Sequence, residues 1–283
     1  MKKHLIIVLI FFGSSIAFAQ NNPDKEDWIQ LFNKKDLTGW ETKIKGYPLN
    51  DNFGQTFRVE NGILKARYDQ YEKYDERFGH LFYKDSYSYY RLRVSYRFTG
   101  NQVPGGPGWA IRNNGLMIHS QPASSMGLNQ DFPVSIEVQL LGGIGTGPRP
   151  TGNLCTPGTN VVMDGELIKR HCINSTSDTY DGDQWVEIEV IVLGDSLITH
   201  IVEGNTVLSY TKPQIGGGNV NGYEWTDFAD GTPLKAGYIT IQGESAPTGF
   251  RKIELLNLEG CTDPKAKNYK TYFIKSNNST CLY

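Results

Sequence analysis

The 283-residue chain has only four cysteines and four methionines, and just 20% of it is charged. Its 28 basic and 30 acidic side chains nearly cancel, so the sequence lacks the basic excess that a nucleic-acid partner requires. No apolar run is long enough to cross a bilayer. Long Ala/Leu/Glu/Lys stretches are missing, which disfavours a helical protein, and no fixed repeat points to a fibre or solenoid. Familiar catalytic fingerprints are missing too: there is no G-x-S-x-G elbow, H-E-x-x-H helix, phosphate-binding G-x-x-x-x-G-K-[ST] loop or dinucleotide glycine pattern. What remains is 39% hydrophobic residues, 31 glycines and 16 tyrosines. That is enough apolar material for a core, in a composition that favours strands and tight turns. After the leader described next, the length suits one all-β unit of about 240 residues plus a small addition.

Met1-Lys2-Lys3-His4 is a basic start, Leu5 to Phe12 is apolar, and Ala17-Phe18-Ala19 is a small-x-small cleavage site before Gln20. Residues 1–19 therefore read as an export signal, placing the mature chain in the periplasm or outside the cell. Cleavage near Ala19-Gln20 removes two lysines and no acid, leaving 26 basic and 30 acidic groups, a net charge of −4. The oxidising compartment suits two local disulfides, Cys155 with Cys172 and Cys261 with Cys281. A zinc site is the competing reading, but no C-x-x-C pair exists and the histidines are scattered.

From Asp27 to Leu258 the pattern is strand after strand. Tyr90, Leu92, Val94, Tyr96 and Phe98 alternate with polar residues, as do Val134 to Leu140 and Val186 to Val192. Asn61-Gly62 between short apolar runs predicts a type I′ hairpin, and Glu203-Gly204-Asn205 predicts another turn. This is an all-β chain, a two-sheet antiparallel sandwich. Residues 142–184 break the rhythm with repeated Gly and Pro and read as an irregular, site-forming loop held by Cys155 and Cys172. Residues 260–283 read as a Cys-stapled C-terminal appendage with too little apolar content for its own core.

Glu137 and Gln139 lie two apart on a strand whose other positions are apolar, so both project from the non-core face. A carboxylate and an amide side by side offer several hydrogen-bond positions to sugar hydroxyls, although solvent-facing polar pairs look the same. His119 stands at a strand end, and His171 sits beside Cys172 inside the suspected loop; either is a candidate acid, base or ligand. His80 and His200 look like packing positions. Gln242 and Glu244 repeat the amide–carboxylate spacing at the end of another strand.

These segments together resemble the 3-keto-disaccharide hydrolase domain family. The signatures run from Leu31-Phe32-Asn33 with Asp36-Leu37-Thr38-Gly39-Trp40, through Asn61-Gly62, Gly79-His80, Asn114-Gly115 and Ile136-Glu137-Val138-Gln139, to Gln242 and Phe250-Arg251-Lys252-Ile253. The resemblance covers about Trp28 to Leu258, and the chain divides into three units: leader 1–19, domain 27–258 and appendage 260–283. It implies a jelly roll of the concanavalin A-like lectin and glucanase type, with a saccharide site on the concave sheet. It also implies cleavage of a glycosidic bond in a sugar carrying a ketone at C3, by C2 proton abstraction, elimination and hydration. Glu137 and His119 would then share the base and acid duties, in either order. Gln139, His171, Asn174 and Glu244 would bind substrate and polarise the ketone, and Arg112 with the 142–183 loop would set specificity. No cofactor is certain, and a divalent cation is compatible with the polarising role. In much of the family a histidine-glycine follows the glutamine strand, whereas Glu244-Ser245 stands here. The partner is a carbohydrate, an oxidised glycoside or disaccharide. The alternative is a non-catalytic lectin-like module, with Trp109, Tyr223 and Trp225 available to stack on sugar rings.

Overall fold

The computed structural model describes residues 22–218, 220–222 and 229–283. The leader and two of the proposed stacking aromatics, Tyr223 and Trp225, lie outside these residues. The alternating segments form antiparallel strands because one side of each can be buried while the other stays polar. In Tyr89–Phe98, the residues Tyr90, Leu92, Val94, Tyr96 and Phe98 are all buried, while Arg91, Arg93 and Arg97 are partly exposed. Phe57–Glu60 and Ile63–Ala66 make the expected hairpin, with positive φ at both Asn61 and Gly62.

Two sheets pack face to face as a jelly-roll sandwich. The larger has strand order Glu166–Ile168, Thr159–Met163, Asn205–Ile215, Leu197–Val202, Val186–Leu193, Tyr89–Phe98, Thr248–Asn257, Ile63–Ala66, Phe57–Glu60, and Ile29–Gln30 pairs on its Thr248–Asn257 strand. The smaller runs Cys172–Ile173, Asn153–Cys155, Ile136–Leu141, Asn113–Ser120, Gly237–Gly243, Gly79–Tyr87, Trp40–Ile44. Between them lies one continuous core. The larger sheet gives it Leu92, Val94, Tyr96, Ile188, Val190 and Phe250, and the smaller gives it Leu116, Ile136 and Val138.

The 142–184 stretch departs from the expectation of an irregular loop. It contains four short strands, Asn153–Cys155, Thr159–Met163, Glu166–Ile168 and Cys172–Ile173, whose short lengths hide their alternation among glycines and prolines. Cys155 and Cys172 are direct partners across a ladder and form one disulfide; Cys261 and Cys281 form the other. Disulfides persist in oxidising compartments. No helix among the described residues is long and apolar enough to cross a membrane. The C-terminal segment adds a two-stranded ladder, Glu259–Gly260 with Lys275–Ser276, and grips residues 22–27. Lys270 pairs with Asp27 at 2.6 Å and donates to the carbonyls of Asn22 and Lys25.

The Cys155–Cys172 bond closes a short loop, which in the chain-entropy picture contributes about 3 kcal/mol by restricting the unfolded chain. Replacing both cysteines with alanine is expected to lower the unfolding free energy by about that amount in urea titration, with the strand content by circular dichroism unchanged.

Candidate active site

The smaller sheet turns Leu116, Ile118, Ile136, Val138 and Ile241 toward the core, so the residues between them line its outer face. Strand register sets the neighbours on that face. Glu137 stands between Met117 and Cys155, and Gln139 between Gly115 and Asn153. Gln242 stands opposite His80, which in turn stands opposite Lys43. Gly115 has a specific use here: a Cβ at that position would lie 2.6 Å from Glu137 Oε1, so only glycine leaves room for the carboxyl to lie over the next strand.

A cavity of about 430 Å³ opens on this face. Glu137, Glu244, Gln139, Asn113 and His171 line it, with Trp109 and Phe132 as aromatic walls and the Cys155–Cys172 disulfide along one side. Trp109 is 55% exposed and stacks nearly parallel on Phe78, with centroids 6.2 Å apart. Asp131 and Asn221 complete the rim, joined by Asn221 Nδ2 donating to Asp131 Oδ2 at 2.7 Å and Asn221 N donating to Oδ1 at 2.8 Å. Gln139 is oriented by Asn153, whose Nδ2 donates to its Oε1 at 2.9 Å.

Glu137 and Glu244 are both buried. Loss of hydration pushes the Glu137 carboxyl up to about 8. The Glu244 carboxyl is driven well above the ordinary carboxylate range by burial and by the field of Glu137. Two charges are disfavoured in this space, so the pair ionises in two separated steps. Gln242 Nε2 donates to Glu244 Oε1 at 3.1 Å, while Oε2 has no protein partner. Burial also holds the His171 imidazole below its usual range, and its Nδ1 has no partner.

The sequence-based candidates divide. Glu137, Gln139, His171 and Glu244 meet in the cavity. His119 does not join them. Its backbone takes a positive φ of 48°, and its Nε2 donates to Gly194 O at 3.0 Å, on a turn of the opposite sheet. It lines a separate cleft with Ser120, Gln121 and Gly237, and burial lowers its imidazole to about 4. Arg112 lies over the Phe98 ring, donates to Gly182 O and pairs with Asp183 at 3.7 Å, so it fastens the 142–183 segment instead of lining the cavity. Asn174 is exposed and outside the cavity lining. Among the described residues, the one group of three or more His, Cys and acidic donor atoms within 4.8 Å of each other is Cys155, His171 and Cys172. Its two sulfurs are bonded to each other and are not thiolate ligands.

Asn113, Asp131, Phe132 and Asn221 join the site without standing out in the sequence. Asn113 opens the strand that carries Gly115, a position that two-residue periodicity marks as facing the cavity. Asp131 and Asn221 meet across 90 residues of chain, which no local pattern reveals. His200 is a packing residue as expected, donating from Nδ1 to Gly152 O and accepting from Tyr210 Oη.

No curated protein matches the chain by sequence. Among solved structures, it is similar to a protein from Parabacteroides distasonis ATCC 8503 provisionally assigned as a glycosyl hydrolase, with 15% identity and a TM-score of 0.48 over 82% of this chain and 99% of that one. A carbohydrate-binding module from Bacillus subtilis aligns at 10% identity and 0.41, over 77% and 96%. The Bacillus licheniformis β-glucanase aligns at 12% and 0.42, over 83% and 100%. These distant likenesses carry no argument about chemistry. The family 3-keto-alpha-glucoside-1,2-lyase-like domain matches residues 27–256. The chain belongs to that family, a carbohydrate-acting, glycosidase-like class of domain.

Proposed function

We propose that the domain cleaves the glycosidic bond of a sugar already oxidised to a ketone at C3, outside the cytoplasm. The observation that carries this reading is the pair of buried carboxyl groups, Glu137 and Glu244, in one cavity of a size that suits a small saccharide. A C3 ketone acidifies the C2 hydrogen, so elimination needs one base and one acid at neutral pH. The family description, a lyase acting between positions 1 and 2 of a 3-keto-glucoside, names a bond change of this kind.

Glu137 takes the C2 proton, and the C–H electrons move into the C2–C3 enolate. The enolate then expels the C1–O bond, and Glu244 passes its proton from Oε2 to the departing oxygen. Water adds to C1 of the unsaturated sugar, Glu137 returns its proton to C2, and the Glu244 carboxylate takes the proton released by water. The sum is hydrolysis. Gln139 has its carbonyl engaged by Asn153, which leaves its NH2 end to donate to a sugar oxygen. Trp109 offers a flat apolar face at the mouth for a sugar ring.

The assay is release of the leaving group from a 3-keto-glycoside. Glu137→Gln is expected to cut the rate about 10²–10⁴-fold. Glu244→Gln is expected to cost a similar factor with a sugar leaving group but less than about tenfold with 4-nitrophenol, whose oxygen needs little protonation. Sugar binding without release by the unaltered protein would sink the reading in favour of a lectin-like module, and release from an unoxidised disaccharide would mark an ordinary glucanase.

The same carboxyls make stability depend on pH. The folded-state affinity of Glu137 for its proton is raised above the unfolded value, so its contribution is fully present below about pH 4.5 and lost as pH rises through about 8, and the raised Glu244 carboxyl acts in the same direction. Glu244→Gln is therefore expected to leave Tm nearly unchanged at pH 4.5 and to raise it by about 3 °C or more at pH 9, read by scanning calorimetry.

A further inference from the structure

Gln242 lies beneath the cavity and not in its lining. It is fully buried, its Nε2 donates to Glu244 Oε1, and its backbone carbonyl accepts from Asn114 Nδ2 at 2.7 Å, which pins the strand at this point. Glu244 Oε2 has no protein partner. A neutral carboxylic acid has one carbonyl oxygen and one hydroxyl, and an N–H donor selects the carbonyl. We propose that Gln242 is a positioning residue, which by donating to Oε1 confines the proton of Glu244 to Oε2. This rests on the reading of Glu244 as the acid, and it adds which of its oxygens delivers the proton and what decides it.

The surroundings fit this assignment. Across the strand pair from Gln242 is His80, whose buried ring is held neutral, so no cation there draws the proton off Glu244. Lys43, next in the row, turns its ammonium to the carbonyls of Ile44, Tyr47 and Leu128. Glu137 faces Glu244 within the cavity, and Tyr68 and Tyr74 face it from the aromatic cluster behind. The tyrosines stay neutral across the working range, which leaves Glu137 as the charge that Glu244 feels.

The test is a carboxyl-carbon NMR titration of the free protein, comparing the unaltered chain with Gln242→Met. An N–H donor favours the ionised acid, so its loss is expected to move the Glu244 titration upward by about one unit. In the unaltered chain, the Gln242 side-chain NH2 resonances are expected to shift with that same titration, a reading that survives if the methionine variant fails to fold. An unchanged or lowered Glu244 titration in the variant, or Gln242 NH2 signals indifferent to it, overturns the proposal. On a 3-keto-glycoside with a sugar leaving group, Gln242→Met is expected to slow release about tenfold, with the 4-nitrophenyl substrate little affected. If the unaltered chain releases nothing from either substrate, the enzymatic reading fails while the NMR result still decides the proton's place.

Discussion

Burying a carboxyl group away from water raises the free energy of its charged form, and two such groups sharing one small space resist a second charge still more strongly. Glu137 and Glu244 are placed under that constraint by strand register. Each projects from the outer face, Glu137 because Ile136 and Val138 are needed in the core, Glu244 because it stands two residues after Gln242, whose neighbour Ile241 is in the core. The rest of the site answers to it: Gly115 leaves space for one carboxyl, and Gln242 supplies the other with its hydrogen bond. A separation of two ionisations is what would let one residue type supply both the proposed base and the proposed acid.

Much of the sandwich is legible because burial on one face writes itself into the chain as alternation. Tyr90 to Phe98, Val186 to Val192 and the Asn61-Gly62 turn can be read directly, and so can the shared face of Glu137 and Gln139. The pairing of Glu137 with Glu244 cannot. It depends on which strands lie side by side, and these two residues are more than a hundred positions apart, separated in the sheet by the Asn113–Ser120 strand.

His119 shows the opposite limit. Two-residue periodicity from Gly115 and Met117 would set it on the face of Glu137, yet its positive φ turns the side chain toward Gly194. A left-handed conformation at a residue other than glycine leaves no mark in composition, because it is imposed by neighbours such as Gly237, which packs directly against the His119 backbone. Arg112 differs in kind: the chain suggests it sets specificity together with the 142–183 segment, whereas its contacts are those of a fastener of that segment and not of a sugar ligand.

The chain leaves the smaller sheet at Cys155, adds Thr159–Met163 and Glu166–Ile168 to the edge of the opposite sheet, and returns at Cys172, where the disulfide closes the excursion. The segment is thus a covalently closed ring, anchored beside Glu137 by the disulfide and again on the opposite sheet, where Thr159–Met163 pairs with Asn205–Ile215 and Val161 is buried in the core. As an engineering unit it behaves like a tethered hairpin: the exposed turn at residues 164–167 can be lengthened from two fixed posts while the Glu137 carboxyl keeps its address.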